Sequence, residues 1–596
     1  MTTSDTAPQP SRDTGPTGPT GPTAPTATVP APRRRTVLAG GAVGVGALGL
    51  RVGADRATAA PSRPAARRAR VFRHGVASGD PLPDAVVLWT RVTPTPGSTP
   101  GSGRGPSVEV VWEVATDPRF RRVVRRGRVR TGPSRDHTVK VDATGLRPST
   151  EYYYRFRLDG QASRTGRTRT APAPQASPDH LRFGVVSCAN LQAGFFSAYR
   201  GLAAREDLHA IMHLGDYLYE YGPGEYGMGA DNVDVRRHVP DHEMVSLADY
   251  RQRHAQYKQD PDLQDAHARY AWIVTWDDHE VTNDQWRGGA ENHTPGTGEG
   301  GEGDYRRRRA RAHRAYDEWM PVRMDGTAAL GDGARLFRRL RFGTLLEISM
   351  LDLRTYRDQQ VATPAVDPAV SDPDRTITGA RQMAWLKDSL SRDHRPQWKV
   401  IGNPVMIAPV TFADLPDALV QPVNDVTGLL PGDGAPYNVD QWDGYTADRR
   451  EVLTHLDDHQ VKDTVFLTGD IHSAWACELP LDTSTYPVVG DSLGVEFVCT
   501  SVTSNNLKDI TGTPPDTTST LVEQVILANN RHIKYLDFDD HGFSVLDVTP
   551  ARAQMDWYVI GARDDRDTAI TWSVSFATAA GTSRIEQVDA PVGGDA

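Results

Sequence analysis

The segment HAIMHLGDYLYE, residues 209–220, carries the pattern that decides the fold of this chain. Its first half is mostly apolar, as expected of a buried strand, and Gly215 and Asp216 then end the run in a turn. Four similar apolar runs lead to the polar groups Cys188–Asn190, Asp277–Glu280, Asn403 and Asp470–His472. In open α/β sheets, ligands bind outside the carboxyl ends of the strands, so we expect these polar groups to converge on one crevice.

Two rhythms of sequence predict two kinds of structure after residue 70. Residues 71–170 contain short runs of strand composition separated by Pro/Gly turns, which predicts an all-β sandwich of the fibronectin type III or immunoglobulin-like kind. Residues 181–550 alternate apolar strands with longer helical patterns, so we expect an α/β domain there. We expect residues 551–587 to be a C-terminal extension and residues 588–596 to be a disordered tail.

Residues 1–60 are predicted to be an export leader and not part of the fold. Arg34 and Arg35 precede an uncharged, mostly apolar stretch over residues 36–50, and Ala57–Ala59 offers a small-residue cleavage site. The arginine pair fits a twin-arginine signal, so the twin-arginine export machinery is an expected partner and the mature protein is expected to be secreted. The alternative, a disordered basic tail, requires both the apolar stretch and the cleavage site to be accidental.

The charge balance argues against long-range attraction of nucleic acid. The chain has 67 basic and 76 acidic residues, and removing the leader, with its six Arg and three Asp, leaves a net charge near −12. No nucleic-acid-binding module is therefore expected, and a phosphate-bearing substrate must be met by bound metals or a local basic patch. The chain has only three cysteines, too few for a disulfide scaffold, so one of them is a candidate ligand.

The residue types at the strand ends are those that bind metal ions. Asp216 has two carboxylate oxygens and can bridge two cations. Cys188 and Tyr219, as thiolate and phenolate, suit a transition metal in a high oxidation state, whereas Asp278 and Asp470 suit a hard cation such as Ca²⁺. The sequence therefore predicts two kinds of metal in one crevice.

Two further side chains belong to this predicted ligand set. His472 could complete either metal site, and Asn403 stands at the end of the fourth apolar run. Each motif alone has a more ordinary interpretation, since Gly-Asp often makes a turn, a buried cysteine often only packs, and Asp-Asp-His-Glu often caps a helix. Their coincidence at five successive strand ends favours the metal interpretation.

With these motifs the chain resembles the metallophosphoesterases, which place a ligand after the first strand, then a GD-x-x-Y or GD-x-x-D turn, a GN-H-E motif and a GH-x-H pair. The cysteine at the first position and the aspartate in the last pair are similar to those of the PhoD-like alkaline phosphatases and phosphodiesterases. The Asp-x-x-Tyr form resembles that of the purple acid phosphatases, which hold Fe(III) with a tyrosinate. The resemblance rests on Cys188, Gly215-Asp216-x-x-Tyr219, Trp276–Val281, Leu351-Asp352-x-Arg354 and Gly469-Asp470-x-His472.

The resemblance implies an αββα sandwich and a secreted, metal-dependent alkaline phosphatase with phosphomonoesterase and phosphodiesterase activity. Its expected cofactors are Fe(III) and Ca²⁺, and other divalent metals are compatible with the same ligands. A metal-activated hydroxide is expected to attack the phosphorus in line. Asp216 would bridge the cations, His279 would bind the phosphoryl group or protonate the leaving alkoxide, and Arg354 would clamp the substrate or hold Asp352.

Other functions stay open on the same motifs. A phospholipase D-type or teichoic-acid phosphodiesterase would share the metal core and differ at the rim of the pocket. A non-catalytic protein that binds metal or phosphate would be expected to lose Asp216 or His279, and both are present. The expected substrate is therefore a phosphomonoester or a phosphodiester.

Two features lie outside these motifs. The arginine run Arg306–Arg309, continued by Arg311 and Arg314, is expected to be a solvated helical face, and the alternative is a patch for an anionic polymer or a lipid headgroup. Cys477 and Cys499 are expected to be core thiols, with a disulfide between them as the alternative.

Overall fold

The structure is a computed structural model, and it describes residues 71–229, 233–298, 300–324, 335–362, 367–392, 396–412 and 435–593. The predicted leader, with Arg34 and Arg35, lies outside these residues. Within the described part of the chain, the helices are too short or too polar to cross a membrane.

The strands of the described residues form two large sheets and two smaller ones. In chain order they are β1 (Val76–Gly79), β2 (Ala85–Arg91), β3 (Val108–Ala115), β4 (Val123–Thr131), β5 (Thr138–Thr144), β6 (Glu151–Leu158), β7 (Gln161–Ala162), β8 (Gly166–Arg169), β9 (Leu181–Val186), β10 (Ala210–His213), β11 (Ala271–Val274), β12 (Arg338–Phe342), β13 (Leu346–Met350), β14 (Trp398–Asn403), β15 (Thr411–Phe412), β16 (Ala435–Pro436), β17 (Thr464–Thr468), β18 (Ala474–Glu478), β19 (Val495–Val498), β20 (Ile533–Asp537), β21 (Gly542–Val548), β22 (Arg552–Ile560), β23 (Ile570–Ala579) and β24 (Ile585–Val588). One large sheet has the order β24-β23-β22-β21-β9-β10-β11-β1-β2-β5, and the other has the order β12-β13-β14-β17-β19-β18-β20.

The helices connect these strands. They are α1 (Ser197–Ala204), α2 (Leu247–Tyr257), α3 (Pro261–Arg269), α4 (Tyr305–Trp319), α5 (Ala380–Ser391), α6 (Thr446–Asp458), α7 (Tyr486–Val489), α8 (Leu507–Thr511) and α9 (Thr518–Asn529). Short 3₁₀ turns lie at Pro133–Arg135, Pro368–Ser371 and Trp442–Gly444.

The two large sheets pack face to face, and helices cover their outer faces. Successive strand residues point to opposite faces, so Met212 of β10 lies between the sheets with Ile348 of β13 and Leu467 of β17. Ile211 points the other way and packs in a second core with Leu202 of α1. A third core, beneath α5, α6 and α9, covers the outer face of the second sheet. The layers therefore run helices, sheet, sheet, helices.

The N-terminal strands form a sandwich, and one layer of this sandwich is part of the ten-stranded sheet. Strands β1, β2 and β5 form one layer and β3, β4, β6, β7 and β8 form the other, with Leu88, Val110 and Tyr154 between them. However, β1 also pairs in parallel with β11, with Ser78 opposite Ala271. The sandwich predicted for residues 71–170 is therefore joined to the α/β region, because its first layer completes the edge that β11 would otherwise leave open.

Strands β21 to β24, at the C-terminal end, also belong to the ten-stranded sheet. Residues 551–587, predicted as an extension, contain β22 and β23 and most of β24, and β22 pairs antiparallel with β21. Of the predicted disordered tail, Val592 is buried, and its N–H donates to Asp556 Oδ2 at 2.8 Å. The described part of this tail is therefore packed on the sheet, and its last three residues lie outside the described residues.

The arginine run on α4 is only partly the solvated face that the sequence predicts. Arg306 and Arg307 are exposed, but Arg308 is fully buried and Arg309 nearly so. Arg308 donates to Glu302 Oε2 at 2.9 Å and pairs with Glu243 at 2.5 Å. A buried guanidinium needs such carboxylate partners. Glu243 stands 65 residues before Arg308, so the local pattern could not reveal that partner.

A buried ion pair joins the two large sheets. Asp80, directly after β1, pairs with Arg338 of β12 at 2.5 Å, and Asp80 is 1% exposed. The N–H of Arg323 also donates to Asp80 Oδ2 at 2.7 Å. Asp80 therefore fixes the end of the N-terminal layer against the second sheet.

We expect Asp80→Asn to lower the free energy of unfolding by about 3 kcal/mol, because the substitution leaves the Arg338 guanidinium buried without its carboxylate. Glu109→Gln is the matched control, since the ion pair of Glu109 with Arg128 is exposed and should be worth about 1 kcal/mol or less. Denaturant unfolding of the three proteins measures the difference. Equal midpoints for both variants would contradict the role of Asp80.

Candidate metal centre

Asp216 is held in an unusual backbone conformation at the end of β10. Asp216 has a φ of 55° and Gly215 a φ of 115°. A Cβ atom at Gly215 would lie 2.5 Å from the Cβ of Asp277, so only glycine allows the turns after β10 and β11 to touch. The Asp216 side chain is buried, and its Oδ1 atom has no hydrogen-bond partner among the described residues.

The residues predicted to hold a transition metal converge around Asp216. The ligand atoms of Cys188, Asp216 and His472 all lie within 4.8 Å of one another. The Tyr219 hydroxyl lies 3.0 Å from Asp216 Oδ2 and 3.1 Å from His472 Nε2. Thiolate, phenolate, carboxylate and imidazole donors thus surround one point, and this donor set fits a transition metal.

The orientation of His472 fits a ligand role. Its Nδ1 atom lies 2.7 Å from the carbonyl oxygen of Asn505, which accepts a hydrogen bond from it and leaves the Nε2 lone pair facing Tyr219. Burial lowers the pKa of His472 to about 4, so the ring is held in the neutral form that binds metal.

Carboxylates extend the cluster on the other side of Asp216. Their oxygen atoms lie within 4.8 Å of one another in three overlapping groups. These groups are Asp216 with Asp278 and His279, Asp216 with Asp277, Asp278 and Asp470, and Asp278 with Asp284 and Asp440. Groups made mainly of carboxylate oxygens suit a hard cation, so the donors change from mixed to all-oxygen across the centre.

Four of the candidate ligands lie in the left-handed region of backbone conformation. The φ angles are 58° for Cys188, 55° for Asp216, 65° for Asp470 and 55° for His472. Residues with a side chain rarely adopt this conformation, and where they do, the cost of about 1 kcal/mol or more is met by the surrounding structure. Such strain clusters at functional sites, and here it turns four side chains toward one point.

Arg354 is buried among the carboxylates. Its guanidinium donates to Asp277 Oδ2 at 2.9 Å, to Asp440 Oδ1 at 2.9 Å and to Asp470 Oδ1 at 3.0 Å. Its backbone N–H, and not its side chain, donates to Asp352 at 3.3 Å. The alternative that the Arg354 side chain holds Asp352 is therefore wrong, and a contact with substrate stays a prediction.

His279 faces the cluster through one nitrogen and is held through the other. Its Nδ1 atom lies 2.7 Å from Glu220 Oε2, and the imidazole belongs to the same group as Asp216 and Asp278. Burial lowers the pKa of His279, but the carboxylates of Glu220, Asp278 and Asp216 raise it well above its ordinary value. Glu220 therefore fixes the ring and favours its protonated form.

Among the described residues, the carboxylates of the centre outnumber the cationic groups beside them. Burial is the largest influence on the pKa of Asp216 and raises it well above its ordinary value. The charge of His279 lowers this pKa, whereas the charges of Asp278 and Asp277 raise it further. Burial and the charge of Asp277 raise the pKa of Asp470 in the same way, against the opposing charge of Arg354. A bound cation would remove this repulsion, so the electrostatics and the donor set both fit metal ions.

Several residues of the centre had no role assigned to them from the sequence. Asp277 and Glu280 belong to the strand-end group that was expected to converge, and Asp284 stands four residues beyond it. Glu220 directly follows Tyr219, but its position in the sequence does not predict its contact with His279. Asp440 follows none of the predicted strands, and only the fold brings it to the centre.

Asn403 is buried at the end of β14, where hydrogen bonds hold its side-chain amide. The Trp442 indole N–H donates to Asn403 Oδ1 at 3.1 Å, and Asn403 Nδ2 donates to Val405 O at 2.5 Å and Thr468 Oγ1 at 3.0 Å. Its amide is thus engaged in holding the end of β14, and its metal role stays a prediction.

Cys477 and Cys499 are buried free thiols, so the disulfide alternative is wrong.

Glu280 ties the two central turns together. Its Oε2 atom accepts from the N–H of Asp216 at 3.1 Å and of Asp277 at 2.9 Å, and its Oε1 atom accepts from the N–H of Tyr217 at 2.7 Å. One carboxylate therefore sets the relative position of Asp216 and Asp277.

We expect Glu280→Gln to lower metal affinity or activity by roughly tenfold to a hundredfold, because an amide nitrogen cannot accept the N–H bonds that position Asp216. Metal content and kcat of the purified protein measure the effect. The control is Glu291→Gln, an exposed carboxylate in the same loop region. Unchanged metal content and kcat in Glu280→Gln would show that the turn holds without it.

Known proteins resemble this chain over most of its length. Residues 183–557 match the family model of PhoD-like phosphatase, and residues 57–172 match the model of its N-terminal domain. Alkaline phosphatase D of Bacillus subtilis (strain 168) is 36% identical over 551 residues, which are 91% of this chain and 87% of that protein. The solved structure of PhoD is 34% identical, with a TM-score of 0.76 over 89% of this chain and 94% of that chain. The chain therefore belongs to the PhoD-like phosphatase family.

Proposed function

We propose that this chain hydrolyses phosphomonoesters and phosphodiesters at a mixed-metal centre built on Asp216, with Fe(III) and Ca²⁺ as its metals. The observation that carries the proposal is that Asp216 belongs to a mixed thiol, imidazole and carboxylate group and also to two groups of mainly carboxylate oxygens. One carboxylate can thus bridge unlike cations. The order of helices, sheet, sheet and helices supports the αββα sandwich expected of this enzyme.

Family membership makes the chain a metal-dependent phosphoric ester hydrolase, and the donor chemistry supports the assignment of the metals. Cys188, Tyr219, Asp216 and His472 would hold Fe(III), because anionic sulfur and phenolate donors stabilise a high oxidation state. Asp278, Asp470, Asp284 and Asp440 would hold Ca²⁺ in one or two sites.

The residues of the centre divide the remaining work. When bound, the cations supply Lewis acidity, lower the pKa of water and neutralise charge on the phosphoryl oxygens. Arg354 holds Asp277, Asp440 and Asp470 in place and offers a fixed positive charge beside them. His279, oriented by Glu220, would donate a hydrogen bond to the phosphoryl group or a proton to the leaving oxygen.

We also propose that the protein acts outside the cytoplasm. The leader with Arg34 and Arg35 supports export by the twin-arginine machinery, which carries folded proteins. The metal could then bind the buried Cys188 thiolate in the cytoplasm, before export. Removing the arginine pair and locating the activity in cell fractions would test this route.

Calcium removal is the first test of the mixed-metal proposal. Treatment with a calcium chelator should lower activity by about tenfold or more, because oxygen-ligated Ca²⁺ exchanges readily, and added Ca²⁺ should restore it. Iron content should stay constant, since thiolate and phenolate hold the other metal. Activity on a phosphomonoester and a phosphodiester, with metal analysis of the same sample, provides the measurement. Full activity in calcium-free protein would refute the calcium assignment.

His279 and Asp216 should differ in their effect on metal content. His279→Ala should keep the metals and lose roughly two to four orders of magnitude in kcat, as expected of a positioned acid or hydrogen-bond donor. Asp216→Ala should lose metal and activity together, because the Asp216 carboxylate belongs to three of the candidate ligand groups.

The leaving group separates the two roles of His279. With nitrophenolate, which needs little protonation, the His279→Ala defect should shrink if His279 is an acid and persist if it binds phosphoryl oxygens. Loss of metal from His279→Ala would instead make the imidazole a ligand. Near-normal kcat on poor leaving groups, with metals intact, would remove His279 from the catalytic residues.

A further inference from the structure

A positively charged pocket lies beside the segment that follows Arg354. Its volume is about 550 Å³, and four of its lining side chains are Arg287, Arg306, Arg309 and Arg381. None of the described residues that line it is acidic, although the chain as a whole carries a net charge of −9. We call it the arginine pocket.

Two of the four guanidinium groups keep their hydrogen-bonding capacity. Arg287 pairs with Asp358 at 2.5 Å, and Arg309 donates to the carbonyl of Arg287 at 2.9 Å. The side chains of Arg306 and Arg381 are exposed and form no ion pair or hydrogen bond with any residue that the structure describes. These two arginines line a concave surface and are available to a ligand.

Helix α5 begins at the same pocket and adds to its positive potential. Gly379 is the N-cap, no side chain caps the first turn, and no acidic residue stands in it. Gly379, Ala380 and Arg381 all line the pocket, so free backbone N–H groups of the first turn are close to it. A cation such as Arg381 in the first turn is unfavourable against the helix dipole, and an anion bound there would offset that cost.

The arginine pocket and the candidate metal centre share two chain segments. Thr355 and Tyr356, which line the pocket, directly follow Arg354, whose guanidinium lies in the centre. Arg287 stands three residues after Asp284, and its N–H donates to the carbonyl of Arg357 at 2.9 Å. Three residues of extended chain span about 10 Å at most, so pocket and centre are neighbours.

We propose that the arginine pocket is a second anion-binding site that takes a phosphate group neighbouring the one that is hydrolysed. The inference rests on the proposed function and deepens it, because it makes substrates with two or more phosphate groups the preferred class. Arginine forks and helix N-termini both match the tetrahedral oxygens of phosphate. Free inorganic phosphate has the same chemistry, and the experiment separates it from a phosphate of the substrate.

The expected effect lies on KM. A remote phosphate contacts the pocket equally in the ground state and in the transition state, so its binding lowers KM and leaves kcat nearly unchanged. The contribution should weaken as the salt concentration rises, because exposed charges are screened.

The experiment uses the metal-loaded protein and a series of oligothymidylate 4-nitrophenyl esters that carry one, two, three or four phosphates. All members share the leaving group and the reacting phosphodiester. For the unaltered protein, we expect kcat/KM to rise by about fivefold or more at one step of the series. In the double variant Arg306→Ala/Arg381→Ala, that step should disappear, while activity on the shortest ester stays within about twofold.

The double variant Arg104→Ala/Arg531→Ala is the matched control, since it removes two exposed arginines that do not line the pocket. It should keep the step, because the effect depends on place and not on net charge. Circular dichroism and metal content should be equal in all three proteins. A series without a step, or a step that persists in the pocket variant, would overturn the inference. Absence of activity on the shortest ester would instead contradict the proposed function.

Calorimetric titration with inorganic phosphate distinguishes the source of the anion. Loss of a phosphate-binding event in the pocket variant, together with loss of the kinetic step, supports a site for a substrate phosphate. Loss of that binding event without any step in the series would make the pocket a site for free phosphate, and the inferred substrate preference would then be wrong.

Discussion

The structure must hold several buried carboxylates close together around Asp216, although their negative charges repel one another. Asp216 shares its surroundings with five other aspartates in overlapping groups, whereas the nearby guanidinium groups are those of Arg354 and Arg357. Each uncompensated charge in such a place costs several kcal/mol. Bound cations would neutralise these negative charges, so we expect metal binding to stabilise the native centre. The rest of the structure keeps these carboxylates in place against their repulsion.

The backbone supplies much of that support. Left-handed turns at Cys188, Asp216, Asp470 and His472 aim the side chains inward, and Gly215 lets two of the turns touch. Glu280 then fixes the relative position of those turns through three backbone N–H groups. Because this support comes from several strand ends at once, we expect a small change at one end to displace ligands that belong to another.

The sequence predicted the convergence of the strand ends and could not predict their partners. Cys188, Asp216, Tyr219, Asp278, Asp470 and His472 follow apolar runs, and the carboxyl ends of parallel strands meet at one edge, so local pattern and topology sufficed for them. The roles of Asp440 and Glu220 arise from contacts between distant segments, which the local pattern does not predict. Arg308 illustrates the same limit, because one of its carboxylate partners, Glu243, stands 65 residues before it.

The order of strands in the large sheet has a consequence for how the chain acquires its shape. Strand β1 pairs with β11 across about 190 positions of sequence, and β9 pairs with β21 across about 360. On the ribosome, both early strands emerge long before their partners and present open edges that favour pairing with other chains. The sheet is complete only when nearly the whole chain has been synthesised. We therefore expect folding of the large sheet to be slow, because pairings between distant segments must close long loops before they stabilise the sheet.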